Sequence, residues 1–240
     1  MDMTSTLTRI KLKLGLNAIV TPFPDLNNVI KTIITDITVP VFSLYVPDKV
    51  SLMIDTRELK ILRDGQNMVE YQLPNWKRKL IEVNDVRYSE STMAGLGFYT
   101  GQFPLFESGV MGAFMLSNTT AQLMQQMIPK MTFQYIPKGR KLRIWNAYYN
   151  SQMYIDCSFE HDKSLVSIPD SARESFMRLA LLDVKENIYP TLKMFNNVDT
   201  AFGKIDLKLE NWENAENERL ELLEKWDDTY HLDHQPIYYI

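Results

Sequence analysis

The residues best suited to chemistry in this chain lie near its end, where Asp227, Asp228, His231, Asp233 and His234 crowd together. A helix running through them would place Asp227, His231 and His234 on one side, at i, i+4 and i+7. Carboxylate and imidazole groups so spaced can ligate zinc and activate a water for hydrolysis. The plainer alternative is electrostatic: histidines at a helix C-terminus meet the negative end of its dipole without any metal. Spacing alone produces many chance matches, so the electrostatic reading is preferred and no metal ligand is assigned. A second candidate is the thiol of Cys157 with His161, flanked by Asp156 and Asp162, which could form an activated nucleophile. In a strand, residues four apart are separated by roughly 13 Å along the axis. The alternation of Met153, Ile155, Cys157 and Phe159 also sets the thiol among apolar neighbours, which predicts a buried, structural cysteine. The glycines Gly95, Gly97 and Gly101 lack both the G-x-G-x-x-G spacing and the GK[ST] ending of a phosphate loop, so packing or hinge roles are expected.

Two basic clusters sit beside tryptophans, Lys77-Arg78-Lys79 next to Trp76 and residues 138–143 next to Trp145. Cations interleaved with aromatics can hold nucleic acid. The second cluster spans a hairpin turn that must be solvated in any case, so direct nucleic-acid contact is not the preferred reading. Exposed aromatics such as Trp76, Trp145, Tyr148 and Tyr149 leave a carbohydrate-binding β module as another class. A small hydrolase using Asp227, His231 and His234 is a third. No catalytic residue and no cofactor is assigned.

Net charge is −4 and the pI about 5.5, which gives no general attraction to DNA or to an anionic membrane. The lone cysteine cannot close an internal disulfide, and the N-terminus carries no long apolar segment behind its charges, so synthesis in a cytoplasm is expected.

The elements that must position these groups are helical at both ends and strand-like between. Leu7, Ile10 and Leu14 repeat at helical spacing over residues 6–14, with Gly15 as a stop. Asp25 can cap a second helix that buries Leu26, Val29, Ile30, Ile33, Ile34 and Ile37. After Pro40 the pattern V-F-S-L-Y-V-P predicts strand, followed by strands near 50–54, 59–62, 69–73, 131–136, 141–145 and 152–159. The strongest periodicity is Phe176, Met177, Ala180, Leu181, Val184, Ile188 and Leu192, a helix opened by a capping box at 171–174 and kinked or ended near Tyr189 by Pro190. A last helix over 211–230 should face Trp212, Leu220, Leu223, Trp226 and Tyr230 inward and Glu213, Glu216, Glu218, Glu221 and Glu224 outward. The expected class is α+β: a helical layer from residues 1–40 and 165–235, and an inserted β-rich body at 41–164 of sandwich- or barrel-like antiparallel strands. Residues 236–240 form an extended tail.

Residues 91–129 interrupt the body. They carry one charge, Glu107, and hold five of the nine glycines, with Met93, Met111, Met115, Met124 and Met127. The stretch is too broken for the roughly 18 consecutive apolar residues of a membrane span. It reads as a long loop, helical near 119–128, covered either by its own domain or by other copies of the chain. Its candidate contact residues are Phe98, Tyr99, Phe103, Phe106, Met111, Phe114 and Met115. The apolar end Ile237, Tyr238, Tyr239 and Ile240 is a second candidate contact, because exposed aromatics at a free end are usually pinned.

The opening LTRIKLKLG, the segment DLNNVIKTIIT leading to VPVFSLYVP, the β-rich middle and the closing SARESFMRLALLDVKENIYPTLKMF with its Trp-bounded acidic helix resemble virion structural proteins of large tailed bacteriophages. The likeness is greatest to head-to-tail connector, or neck, proteins, and it covers most of the chain in organisation without any catalytic motif. It implies a non-enzymatic ring of identical subunits in the virion, made in the host cytoplasm and joining capsid portal to tail. It implies other virion proteins as partners, DNA in passage without specific binding, and no membrane. The large β-rich part leaves a tail or baseplate position open. A ring uses one patch against a different patch on the neighbour, and Glu213, Glu216 and Glu221 facing its channel would repel DNA phosphates and let the duplex slide.

Overall fold

In the computed structural model the described residues are 2–16, 23–65, 67–88, 131–145, 152–195, 198–200, 203–205 and 209–230. The fold is α+β, with an antiparallel β body between N-terminal and C-terminal helices. The chain divides into two compact units, Met1–Asp48 with Phe159–Ile240, and Lys49–Ser158.

In the helical unit, helix α1 (Met3–Lys13) starts where the Asp2 carboxylate accepts from the Thr4 N–H at 2.8 Å. It ends in a Schellman turn. Gly15 takes φ +68°, the Leu16 N–H reaches the Lys11 carbonyl at 2.9 Å, and the Gly15 N–H reaches that of Leu12 at 3.2 Å. Helix α2 (Leu26–Ile33) is capped by Asp25, whose carboxylate accepts from the Asn28 N–H.

The chain then differs from the sequence-based expectation. In place of a strand after Pro40, a π-helical turn (Ile34–Thr38) leads into helix α3 (Val39–Tyr45). Pro40 has no N–H to donate, and its ring would clash with the carbonyl four residues back in a regular α-helix. The π turn widens the ladder just before it: the Val39 N–H bonds the Ile34 carbonyl, five residues back. The β-branched and aromatic residues of Val41-Phe42-Ser43-Leu44-Tyr45 thus continue a helix, and Phe42 enters the core.

Helix α4 (Arg173–Phe195) is the axis of this unit. A 3-10 turn (Asp170–Ala172) feeds it, so Ser171 lies in that turn. The helix runs through Pro190 and does not end near Tyr189. Phe176, Met177, Leu179, Ala180, Leu182, Asp183, Val184, Ile188 and Leu192 are buried, nearly all round the axis, as expected of a central helix. It packs against α1, α2, the π turn and helix α5 (Ala215–Tyr230), which follows a 3-10 turn at Leu209–Trp212. Helix α5 buries Ala215, Leu222 and Trp226, while Leu220 is 50% exposed. The expected inward position of Leu220 is therefore corrected: Leu222 is the residue in phase with Trp226 four positions on. Two three-residue strands, β8 (Val198–Thr200) and β9 (Gly203–Ile205), pair between α4 and α5.

The β unit holds a three-stranded sheet, in the order β1-β7-β4, of β1 (Asp48–Asp55), β4 (Leu80–Tyr88) and β7 (Gln152–Phe159). Its four-stranded antiparallel sheet, in the order β2-β3-β6-β5, contains β2 (Lys60–Gly65), β3 (Met68–Gln72), β5 (Thr132–Ile136) and β6 (Lys141–Trp145). The β5–β6 hairpin turns through Pro137-Lys138-Gly139-Arg140, with φ +86° at Gly139 and +51° at Arg140. One face of the larger sheet is apolar. Val69 lies opposite Ile144, Tyr71 opposite Leu142, and Phe133 and Tyr135 continue that layer on β5. Strand β4 had no distinct sequence signal because its buried residues, Leu80, Val83, Val86 and Tyr88, do not alternate strictly and stand among charged ones.

Candidate assembly surfaces

Four candidate groups from the sequence receive a definite environment. The Cys157 thiol is fully buried and pushed up to about 12, first by burial and then by the Asp156 charge. At neutral pH it is a thiol and not a nucleophilic thiolate. The His161 ring is held at both nitrogens, Nδ1 at 2.9 Å from the Ser167 hydroxyl and Nε2 at 2.7 Å from the Val46 carbonyl. Burial, and then the hydrogen bond that its hydroxyl donates to Asp227, raise Tyr45 above its ordinary range. Asp228 is exposed on α5, and His231, Asp233 and His234 lie outside the described residues. We expect the native protein to be inert to an aromatic disulfide reagent at pH 8 and to titrate one thiol once unfolded in guanidinium. Rapid reaction of the native protein would overturn this account of Cys157.

The second basic cluster is engaged within its sheet. Glu70 on β3, only 6% exposed in its side chain, lies opposite Arg143 on β6 and accepts from its Nε at 2.7 Å, with the Lys141 ammonium at 3.1 Å. Arg143 first and Lys141 second hold the Glu70 carboxyl below the usual range. Arg140 bonds the side chain of Asn75. A carboxylate depressed in the folded state adds stability above its unfolded value, about 4.3, and that stability is lost as the pH falls through the folded value. Glu70→Gln should therefore lower the thermal midpoint at pH 7, with the gap to the parent protein closing below about pH 4. An equal gap at both ends of the range would contradict this.

The helical unit carries both signs of charge. Glu213, Glu216 and Glu221 are exposed, as the sequence implied, and Glu213 lies 3.5 Å from the Lys193 ammonium. Lys13, Arg178 and Lys185 line an open recess of about 340 Å³ together with Glu218. Patches of opposite sign are what a head-to-tail contact between like subunits uses.

Inside, a polar lock that no local pattern announces ties three elements. Asp183 on α4 is fully buried. Its Oδ2 accepts from the Thr38 hydroxyl of the π turn at 2.7 Å, and its Oδ1 from Arg219 Nε of α5 at 2.6 Å. Arg219 also approaches Glu186 at 3.5 Å. Beside it, Phe42 packs edge-on to Phe176 with ring centres 5.1 Å apart, 5.8 Å from Trp226 and 5.6 Å from His161.

Among the described residues of the β unit, strand β2 is the most exposed strand. It forms one edge of its sheet and is exposed at all six positions, with Ile61 47% and Leu62 38% exposed. A bulge falls between Ile61 and Arg63. The contact candidates Phe98, Tyr99, Phe103, Phe106, Met111, Phe114 and Met115, and Ile237, Tyr238, Tyr239 and Ile240, lie outside the described residues, as do Gly95, Gly97, Gly101, Tyr148, Tyr149 and the helix expected near 119–128. Among the described residues no helix is long and apolar enough to cross a membrane.

Comparison with curated proteins finds no match. The profile of the bacteriophage ring protein family, in contrast, matches residues 3–238, nearly the whole chain, and the protein belongs to that family of phage structural proteins.

Proposed function

We propose that the chain assembles into a closed homo-oligomeric ring in the head-to-tail connector of a tailed phage, between the capsid portal and the tail, with DNA passing through its channel. The observation that carries this reading is the family match over residues 3–238. The order of sequence patterns resembles that of neck proteins, and the acidic residues Glu216 and Glu221 stand exposed on α5 with Glu213 exposed in the turn before it. Facing the channel, these carboxylates repel DNA phosphates, so the duplex passes without being held. Phe98, Tyr99, Phe103, Phe106, Met111, Phe114 and Met115 supply subunit contacts, in keeping with the near-neutral composition of their segment. The role is structural, with no catalytic step and no cofactor.

Light scattering across a concentration series is the test of assembly. A closed oligomer of the 28.0 kDa chain is expected, and a monomer at every concentration would overturn the ring. Gold-labelled antibody on intact virions tests position: label at the neck supports the connector, whereas label at the distal tail would move the protein to a tail or baseplate ring. Charge reversal at Glu213, Glu216 and Glu221 with unimpaired DNA delivery would remove the channel role from α5.

A further inference from the structure

A ring subunit must meet its neighbour through two different surfaces, and strand β2 has the features of a candidate for one of them. Of the edge strands of the two larger sheets, β2 alone among the described residues is exposed at every position. Its pairing with β3 fixes which way its side chains point. Ile61 lies opposite Tyr71, on the apolar face of the sheet, and Arg63 lies opposite Glu70, on the charged face. The apolar face thus runs out to an edge where Ile61 is half uncovered and, among the described residues, no strand lies beside the backbone N–H and C=O groups on the outer side. Such an edge is a template for another chain.

We propose that β2 accepts the C-terminal residues 236–240 of a second copy, Pro236-Ile237-Tyr238-Tyr239-Ile240, as an added strand. This rests on the ring reading above. The five residues suit the six of β2 in length, and four of them, Ile, Tyr, Tyr and Ile, are strong strand formers. Pro236, which has no N–H, suits the first position of a strand. Side chains of an added strand alternate between faces, so one pair, Ile237 with Tyr239 or Tyr238 with Ile240, covers Ile61 and extends the apolar layer. Helix α5 ends at Tyr230, and ten residues follow it. At roughly 3.3–3.6 Å per residue, the five before the pairing segment can span at most about 16–18 Å. Lys60 and the bulge at Leu62 are devices that discourage indiscriminate edge pairing, which leaves a short, specific segment as the suitable occupant.

The test uses the full chain, whose own Cys157 is buried and stays out of disulfide exchange. Arg63→Cys is combined in separate preparations with Tyr238→Cys and with Tyr239→Cys, so that both faces of the added strand are sampled. Mild oxidation of a mixture of the Arg63→Cys protein with one of the two tyrosine variants, the one whose cysteine shares the Arg63 face, should give a two-chain species on a non-reducing gel. In the corresponding double variant a ladder should rise to the size of the ring. A disulfide closed within one chain would overturn the proposal. So would the absence of cross-links from a protein that still forms the ring in light scattering, and in that case the ring reading stands. A parent protein that never self-associates would overturn both. As a second readout, deletion of residues 236–240 and Ile61→Asp should each raise the concentration for half-assembly by about tenfold or more. Unchanged assembly in both would sink the proposal.

Discussion

Replacing Arg219 with alanine should destabilise the helical unit by about 3–5 kcal/mol, because it strands the carboxylate of Asp183 in the core without its counter-charge. The native arrangement leaves little room for rescue. Asp183 is fully buried, and its remaining side-chain partner is the Thr38 hydroxyl at 2.7 Å. For a chain of this length the loss corresponds to a fall in melting temperature of about 6–20 °C, read by circular dichroism of the helices. The two partners are not equivalent. The Arg219 side chain retains 19% exposure and can turn its head to water along its own alkyl stem, whereas Asp183 cannot. Asp183→Ala should therefore cost less than Arg219→Ala. Replacing both residues together, Asp183→Leu with Arg219→Met, should recover most of the loss, since a well-packed apolar pair often equals a buried ion pair. Equal melting of Arg219→Ala and the parent protein would show that the lock contributes nothing.

Phe42→Ala should cost a similar amount, about 3–5 kcal/mol, by opening a cavity where three rings converge. Phe42 is fully buried, and its edge-on contact with Phe176 adds a quadrupole attraction of about 0.5–1.5 kcal/mol to the area it hides. Leu44 on the same helix is 59% exposed, and Leu44→Ala should stay within about 0.5 kcal/mol of the parent, apart from a small helix-propensity term. Comparable losses at the two positions would mean that α3 is not seated as described.

The contrast between Phe42 and α4 shows what the sequence made legible. Helix α4 announces itself because its apolar residues repeat at helical spacing over a long run, and the hairpin at 137–140 because Pro and Gly punctuate two β-rich segments. Strands β1, β2, β3, β5, β6 and β7 were recognisable for the same reasons. Helix α3 was not, since Val41, Phe42 and Tyr45 individually favour strands and Pro40 argues against a helix. The π turn that accommodates Pro40 is a backbone solution with no signature of its own. Leu220 misled because adjacent leucines at 222 and 223 permit more than one helical phase, and only packing selects one. The assembly surfaces divide in the same way. The acidic side of α5 follows from its composition, whereas the bare edge of β2 depends on sheet order, which no local pattern encodes. Asp183 and Arg219 are separated by 36 positions, and nothing in either neighbourhood points to the other.

The discontinuity of the helical unit has a consequence for the order in which the protein matures during synthesis. Thr38 and Asp183 are 145 positions apart, and the hydrogen bond from the His161 N–H to the Ser43 hydroxyl spans 118. At about 5–20 residues per second, the π turn waits on the order of 7–30 s after translation before its partner on α4 emerges from the ribosome. Helices α1 to α3 carry through that interval the apolar side that α4 and α5 later cover, while the intervening β unit, continuous in sequence from Lys49 to Ser158, is completed first. The nascent chain is thus most exposed to aggregation, and most dependent on chaperones, in the window between the completion of the β unit and the release of α4.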